Sequence, residues 1–321
     1  LEFRRVLFRS EDYQHAKEVW NRHECENMGD YHDIYLLSDV TLLADVFQGF
    51  RKMCMSFYGL DPANFYTSPG LSWSALLKMT KPQLDLLTDY DMHLFIEQGI
   101  RGGVCGPSVR YARANNPKVE YDANEPTNYI YYLDANNLYG WAMSQPLPVR
   151  DFEWVHGDWS EFDVPEDNPK GYILEVDLDY PEDLHDLHND FPMAPENKEI
   201  PFEMLSNYQK KMMPNYKPYK KLLMSLMPKR RYVVHYRNLQ FYLKHGLKLK
   251  KIHRVLSFTQ EAWMKPYIDF NTKKRMEAKN EFEKNLFKLM NNSVFGKTME
   301  NIRKRVNVKM VRTEEQALAY V

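Results

Sequence analysis

The chain has 321 residues, 44% hydrophobic and 14% aromatic, with a formal net charge of −1. That is enough for a sizeable core and about two domains, and no apolar run is long enough to cross a bilayer. Three scattered cysteines, Cys25, Cys54 and Cys105, argue for a reduced intracellular compartment and against a structural zinc site. The near-neutral total hides a segregation of charge. Lys210–Arg312 carries 27 basic and 6 acidic residues, and the remainder carries 16 basic and 38 acidic. No residue between Glu203 and Glu261 is acidic, whereas Asp151–Glu203 holds 17 acidic residues and two lysines. Such separation repels itself unless a polyanion or the other half compensates. The basic half is interleaved with aromatics, as in KRRYVVHYRNLQFYLKH, which suits backbone neutralisation and base stacking on nucleic acid. A basic domain docked on an acidic one explains the charge equally well.

In chain order, residues 1–10 (LEFRRVLFRS) are basic and apolar without a cleavage site. They are set aside as a cloning artefact or a disordered leader. Residues 31–58 predict one helix, with Ile34, Leu37, Leu42, Val46, Phe47 and Phe50 near the 3.6 period and Gly59 and Pro62 closing it. TSPG (67–70) predicts a turn, followed by short helices at 71–79 and 89–98. A glycine cluster (Gly102, Gly103, Gly106) leads into a polar linker, 113–127. Residues 128–134 and 171–178 predict strands, and the acidic, proline-rich stretch 179–201 predicts a loop. Short strands are expected near 221–226 and 247–258, flanking a helix at 236–245. A long helix is expected over 270–296. On that helix, Phe282, Leu286 and Leu289 share one face, and Lys284, Lys288 and Phe295 share the opposite one, with Asn292 at its margin.

The stretch 132–140, YLDANNLYG, places the carboxylate of Asp134 at the end of a β-prone run and the bulky Tyr139 five residues later. A strand closing in an Asx turn accounts for it locally. A carboxylate at a strand end gains from a cation there. Asp177-Leu178-Asp179 also puts two carboxylates on one strand face. It reads as an ordinary strand entering an acidic loop in preference to a metal site, and DLHDLHND (183–190) as a solvated loop.

Four segments resemble motifs of family B DNA polymerases, in the family's order. YLLSD (35–39) resembles the third motif of the proofreading exonuclease. IRGG (100–103) resembles the glycine motif of the protein-primed branch. DANNLYG (134–140) resembles motif A, and KLMNNSVFG (288–296) resembles motif B. The long separation of motifs A and B resembles the protein-primed subgroup. The wording KIHRVLSF and LMNNSVFGKTMEN resembles polymerases of Polinton/Maverick-type transposons and their viral relatives.

The resemblance implies an α+β fold. It would comprise a palm and fingers with an inserted subdomain, preceded by the C-terminal end of a 3′–5′ exonuclease domain of RNase H-like type. The expected divisions are 11–98 for the end of the exonuclease and connecting helices, and 99–150 for the start of the palm. A palm strand and the insertion would follow at 151–265, the fingers helix at 266–300, and the start of a further segment at 301–321. The implied reaction is template-directed nucleotidyl transfer with two Mg²⁺ (or Mn²⁺) ions. Asp134 is the implied catalytic carboxylate and metal ligand, with the Ala135 carbonyl as a second donor. Ala135, Leu138, Tyr139, Lys284, Lys288, Asn292 and Phe295 would meet the incoming nucleotide, with Tyr139 as the gate against a 2′-hydroxyl. Arg101, Gly102, Gly103, Ser293 and Gly296 would meet DNA. Tyr35 and Asp39 would be the exonuclease remnant. The implied partners are a DNA primer–template, dNTP and a terminal priming protein, with no membrane, in the nucleus if the host is eukaryotic.

The departures are Ile100 for Tyr, Asn137 for Ser, Gly140 for Pro and Phe295 for Tyr. The first two exonuclease motifs and the Asp-x-Asp of motif C are not found. The expectation is therefore an internal, by itself inactive, piece of a polymerase. The competing reading is a non-catalytic nucleic-acid-binding relic or domesticated transposon product.

Overall fold

A computed structural model describes residues 10–109, 111–157, 164–165 and 167–320. In chain order the helices are α1 (Ser10–Arg22), α2 (Met28–Tyr58), α3 (Ser68–Thr80), α4 (Tyr90–Gly99), α5 (Leu138–Met143), α6 (His185–His188), α7 (Asn207–Met212), α8 (Tyr236–Lys244), α9 (Lys265–Glu277), α10 (Glu281–Thr298) and α11 (Glu314–Leu318). The strands are β1 (Leu147–Val155), β2 (Lys170–Asp179), β3 (Glu196–Glu199), β4 (Lys220–Leu223), β5 (Lys229–His235) and β6 (Lys248–Glu261). The chain forms two compact units, one of residues 1–79 with 271–321 and the other of residues 80–270. No described helix is long and apolar enough to cross a membrane.

The first unit is helical. Asn27 starts α2 with a capping box, its side chain accepting from the N–H groups of Gly29 and Asp30 while Asp30 accepts back from Asn27 N–H. Gly59, in the left-handed region at φ 62°, ends the helix. The core gathers Cys54, Tyr58, Leu71, Leu76, Phe287 and Met290. The Phe57 and Phe287 rings meet edge-on at 5.1 Å. Tyr58 Oη donates to Asn271 Oδ1 at 2.7 Å, and Asn271 Nδ2 donates to Asn291 Oδ1 at 2.9 Å, so the buried polar groups satisfy one another. Arg51 grips Asp61 through two nitrogens, at 2.9 and 2.6 Å. That guanidinium holds the Asp61 carboxyl down to about 2.

The expected single helix over 270–296 is two helices. Asn280 breaks it by capping α10, its side chain accepting from Glu283 N–H at 2.9 Å while Lys279 N–H is taken by Glu283. The buried face of α10 also lies to one side of the expected one. Leu286, Phe287, Met290, Asn291, Ser293 and Val294 are buried, whereas Phe282 and Leu289 are exposed. Helix α1 was not expected from the sequence.

The second unit is built on an antiparallel sheet in the order β1-β6-β2-β5. Its strands β1 and β5 are absent from the sequence expectations, because Arg150 and Asp151 in one and Lys229-Arg230-Arg231 in the other blur the alternation. Strand β2 alternates cleanly. Leu174, Val176 and Leu178 enter the main core with Tyr232, Val234, Tyr236 and Leu239, while Ile173 and Val233 face the smaller cluster around Phe95 of α4. The intervening Glu175 and Asp179 are met by cations, and Asp177 by a backbone N–H and an imidazole. Glu175 takes Arg254 at 2.8 Å and Arg231 at 3.3 Å. Asp177 lies 3.0 Å from His253 Nε2, off the hydrogen-bonding direction, and accepts Arg231 N–H at 2.8 Å. Asp179 meets Lys250 at 3.2 Å and Arg230 at 3.3 Å. Part of the basic and acidic segregation is thus compensated inside this sheet.

Two further expectations are corrected. Residues 128–134 form no strand. Only Asn128 makes a bridge, to Asn115, and Tyr132 and Leu133 are 95% and 87% exposed. A β-prone run becomes a strand only where a neighbour offers a ladder, and none of the described residues does. The expected loop 179–201 contains β3, which pairs with β4, so the strand expected over 221–226 ends at Leu223. The linker 113–127 is organised by Asn115. Its amide donates to the carbonyls of Asp122 and Glu125 at 2.9 and 3.2 Å, and its Oδ1 accepts Asp122 N–H at 2.8 Å.

Candidate functional site

The candidate residues fall in both units. In the second unit, Asp134 is exposed and lies in the irregular segment before α5. Asn137 adopts φ 53° as the N-cap of α5, a conformation Asn tolerates. Its side chain lies against Gly140, where an added Cβ would collide with it. The Gly found at the family's Pro position is therefore matched to its Asn neighbour. Tyr139 follows on the first turn of α5 and is half-exposed, as is Leu138, while Gly140 and Met143 are buried. Ala135 is exposed beside Asp134.

The glycine motif follows α4. Asp89 caps that helix by accepting Asp91 N–H at 2.8 Å, and it also accepts Trp154 Nε1–H at 3.1 Å. Arg101 is half-buried, its guanidinium 3.9 Å from the Tyr232 ring centroid, with Nη1 donating to Val233 O at 2.6 Å. Burial lowers its pKa, and an arginine remains charged regardless. Ile100, in the position of the family's Tyr, is exposed.

In the first unit, Lys284, Lys288 and Asn292 are exposed along α10, with Phe295 half-buried on the same side. Lys284 is engaged by Glu281 at 3.0 Å, which makes Lys288 the better placed of the two for a phosphate. Ser293 is buried in the unit's core and presents no surface to DNA, while the space beside Gly296 is open. Tyr35 and Asp39 meet on an exposed turn of α2. The hydrogen bond to Asp39 holds the Tyr35 phenol above its usual value.

A divalent ion needs about six oxygen donors. Among the described residues no three His, Cys, Asp or Glu side chains gather to hold one. Asp134 and the Ala135 carbonyl are too few donors for a two-ion centre. The acidic–histidine run 183–190 is likewise no metal site. Tyr180 Oη and His188 Nδ1 share a hydrogen bond at 2.8 Å, and Tyr180 also accepts Met193 N–H, so His188 is a buried structural group. No local sequence signal points to a basic cleft of about 400 Å³ lined by His156, Lys250, Lys251, His253 and Arg254. Its basic residues on β6 stand in two consecutive pairs, Lys250-Lys251 and His253-Arg254, at the two irregularities of the β2–β6 pairing.

Residues 8–319 match the family described as DNA polymerase type B, organellar and viral. Among solved structures, phi29 DNA polymerase in its orthorhombic crystal form aligns over 89% of this chain and 47% of its own, at 18% identity and a TM-score of 0.52. The same polymerase complexed with primer-template DNA and incoming nucleotide aligns over 73% and 36%, at 19% identity and a TM-score of 0.43. The chain thus spans about half the length of the first of these, and the likeness is one of fold. No curated protein sequence matches. The mixed helix-and-sheet fold resembles that of phi29 polymerase, and the chain belongs to the organellar and viral type B DNA polymerases.

Proposed function

We propose that the chain supplies palm and fingers parts of a template-directed DNA polymerase of the protein-primed kind, akin to those of Polinton/Maverick-type elements. The observation that carries this reading is the selective exposure within the motif B segment. Lys288 and Asn292 reach solvent there, while Met290, Asn291, Ser293 and Val294 are buried. The helix spends its packing residues on the core and turns its cation and amide outward, and in the second unit Asp134 and Tyr139 are also at the surface.

In this reading Lys288 contacts the incoming triphosphate and offsets charge that builds on the leaving group. Asn292 and Phe295 line the nascent base pair. Tyr139, fixed by the first turn of α5, packs under the deoxyribose and leaves no room for a 2′-hydroxyl. Divalent ions (Mg²⁺ or Mn²⁺) supply Lewis-acid chemistry to transfers of this class. Asp134 is this chain's one side chain proposed toward them. Primer–template DNA would lie along the basic stretches, and the region 150–265 would also meet a terminal priming protein.

The test is primer extension by the polymerase that contains this chain, with dNTP and rNTP compared. Tyr139→Ala is expected to admit ribonucleotides while retaining extension with dNTP. Unchanged sugar selection would overturn the gate assignment.

A further inference from the structure

Strand β6 outruns its neighbour β1. β2 pairs with residues 248–259 of β6, whereas β1 pairs only with residues 255–261. Among the described residues, 248–254 therefore have no strand on the edge away from β2. The basic cleft of about 400 Å³ follows that edge, lined by the unbroken run 249–255 and by residues 155–157 at the end of β1. The next described residue of the chain, Val164, is already buried in the main core. An unpaired edge offers its backbone N–H and C=O groups to any extended chain. The two sides of this edge differ. Leu249 and Ile252 pack against the main core with Val155. Lys250 and Arg254 stand on the other side, where they meet Asp179 and Glu175. Lys251 shares that side, because its register partner is Asp177. Lys248 and Lys251 are exposed and make no ion pair among the described residues, and no described acidic residue lines the cleft.

We propose that this edge takes an extended acidic peptide of a partner protein, added as a strand in line with β1 and antiparallel to β6. Successive side chains of an added strand fall on opposite sides. One set is apolar and lies toward Leu249 and Ile252, and the other is acidic and lies toward Lys248, Lys251 and Arg254. The lysines, with the irregularities at Lys250 and His253, turn ordinary strands away, as guarded edges do. The same charge selects an acidic strand. A second copy of this chain pairing through the same edge would set lysine against lysine. Single-stranded DNA would meet the lysines but has no row of amides to complete the ladder. The inference stands apart from the polymerase reading.

The 321-residue chain is titrated with a fluorescein-labelled decapeptide alternating valine and glutamate. Two further forms of the peptide are N-methylated, one at every valine and one at every glutamate. Alternate amides of a strand point to opposite edges, so one of the two forms is expected to bind at least about tenfold more weakly, the scale of several lost main-chain hydrogen bonds. Hydrogen exchange of residues 249–254 is expected to slow in the complex while that of β5 is unchanged. Lys248→Glu combined with Lys251→Glu is expected to weaken binding about tenfold, since each reversal replaces an exposed attraction with a repulsion. If that variant misfolds, the methylated peptides on the unaltered chain still decide. Both methylated forms binding as tightly as the unmodified peptide, or slowed exchange in β5 instead of β6, overturns strand addition. Displacement of the peptide by equimolar (dT)12 overturns it in favour of a general polyanion surface. No binding overturns it and leaves the lysines as a guard against aggregation. None of these outcomes counts against the polymerase reading, which Tyr139→Ala tests separately.

Discussion

Residues 288–296 and residues 129–140 carry the two polymerase signatures, and they are held by opposite means. The motif B segment is part of an 18-residue helix with a continuous buried face. Its local hydrogen bonds form within the segment, and packing of Phe287 and Met290 adds to them. The motif A segment has a β-prone composition and no partner strand among the described residues, so its apolar side chains stand in solvent. It is anchored at its two ends, by the Asn115–Asn128 bridge before it and by α5 after it. A helix satisfies its backbone alone, whereas a strand must borrow. One sequence signature is therefore structurally self-sufficient and the other depends on its neighbours.

The largest expected effect falls on the self-sufficient side. Phe287→Ala should destabilise the helical unit by about 3–5 kcal/mol, the usual cost of an emptied aromatic core position, read by chemical denaturation. An equal loss from Leu133→Ala would break the contrast, since a side chain this exposed should change stability by no more than about 0.5 kcal/mol. Next comes Asn115→Ala, which removes the side chain that gathers residues 115–125. It should cost about 1–3 kcal/mol locally. Hydrogen exchange of the amides of 113–128 should accelerate while those of β2 and β6 stay protected.

The sheet of the second unit gives a comparable effect through charge. Glu175 is 3% exposed and serves two arginines. Glu175→Gln should cost about 2 kcal/mol, below the figure for fully buried pairs because both arginines reach solvent. Burial pushes the Glu175 carboxyl up, but its bonds to Arg254 and then Arg231 outweigh that and hold it below the ordinary 4.5. Burial likewise raises Asp177, and Arg231 N–H and His253 bring it below 3.8. A carboxylate with a depressed folded pKa stabilises the fold above its unfolded value and loses that contribution as pH falls through the folded one. The share of stability from these two carboxylates should thus be constant above about pH 5 and decline below about pH 4.5, added to an earlier decline from about pH 6.5 as His235, held near 4 by burial, resists the proton the unfolded chain takes up. Glu175→Gln should flatten the lower decline, and an unaltered acid slope in the variant would remove the sheet's charge ladder as its cause.

The smallest expected effect is on Lys284. Because Glu281 already engages it, Lys284→Ala should leave nucleotide affinity within about twofold, the scale of an exposed ion pair. Lys288→Ala should raise the KM for dNTP about tenfold, the order of a lost charge-assisted contact, in steady-state primer extension. Equal effects from the two lysines would erase the distinction drawn between them.

Helix α2, the C-terminal end of α3, α4, α8, β2 and the family itself follow from local signals in the sequence, whereas Ser68–Gly70, expected as a turn, form the first turn of α3. The signals are apolar spacing at 3.6 or 2, caps such as Asp89 and Gly59, and short motifs whose residue types are set by chemistry. The resemblance of 134–140 and 288–296 to family motifs also singled out Asp134, Tyr139 and Lys288 as the residues proposed for nucleotidyl transfer. Tertiary structure alone decided the rest. It buried Ser293 and exposed Leu289, because a helix shows its core face only to the neighbour it meets. It left residues 129–134 without a strand while making β1 and β5 strands, because pairing is a long-range choice between candidates of similar local preference. It spent Asp177 and Asp179 on Arg230, Arg231, Lys250 and His253, and left Arg101 without a carboxylate among the described residues. Which cation finds which carboxylate depends on a few ångströms between distant segments, and that separation is written in no local stretch of sequence.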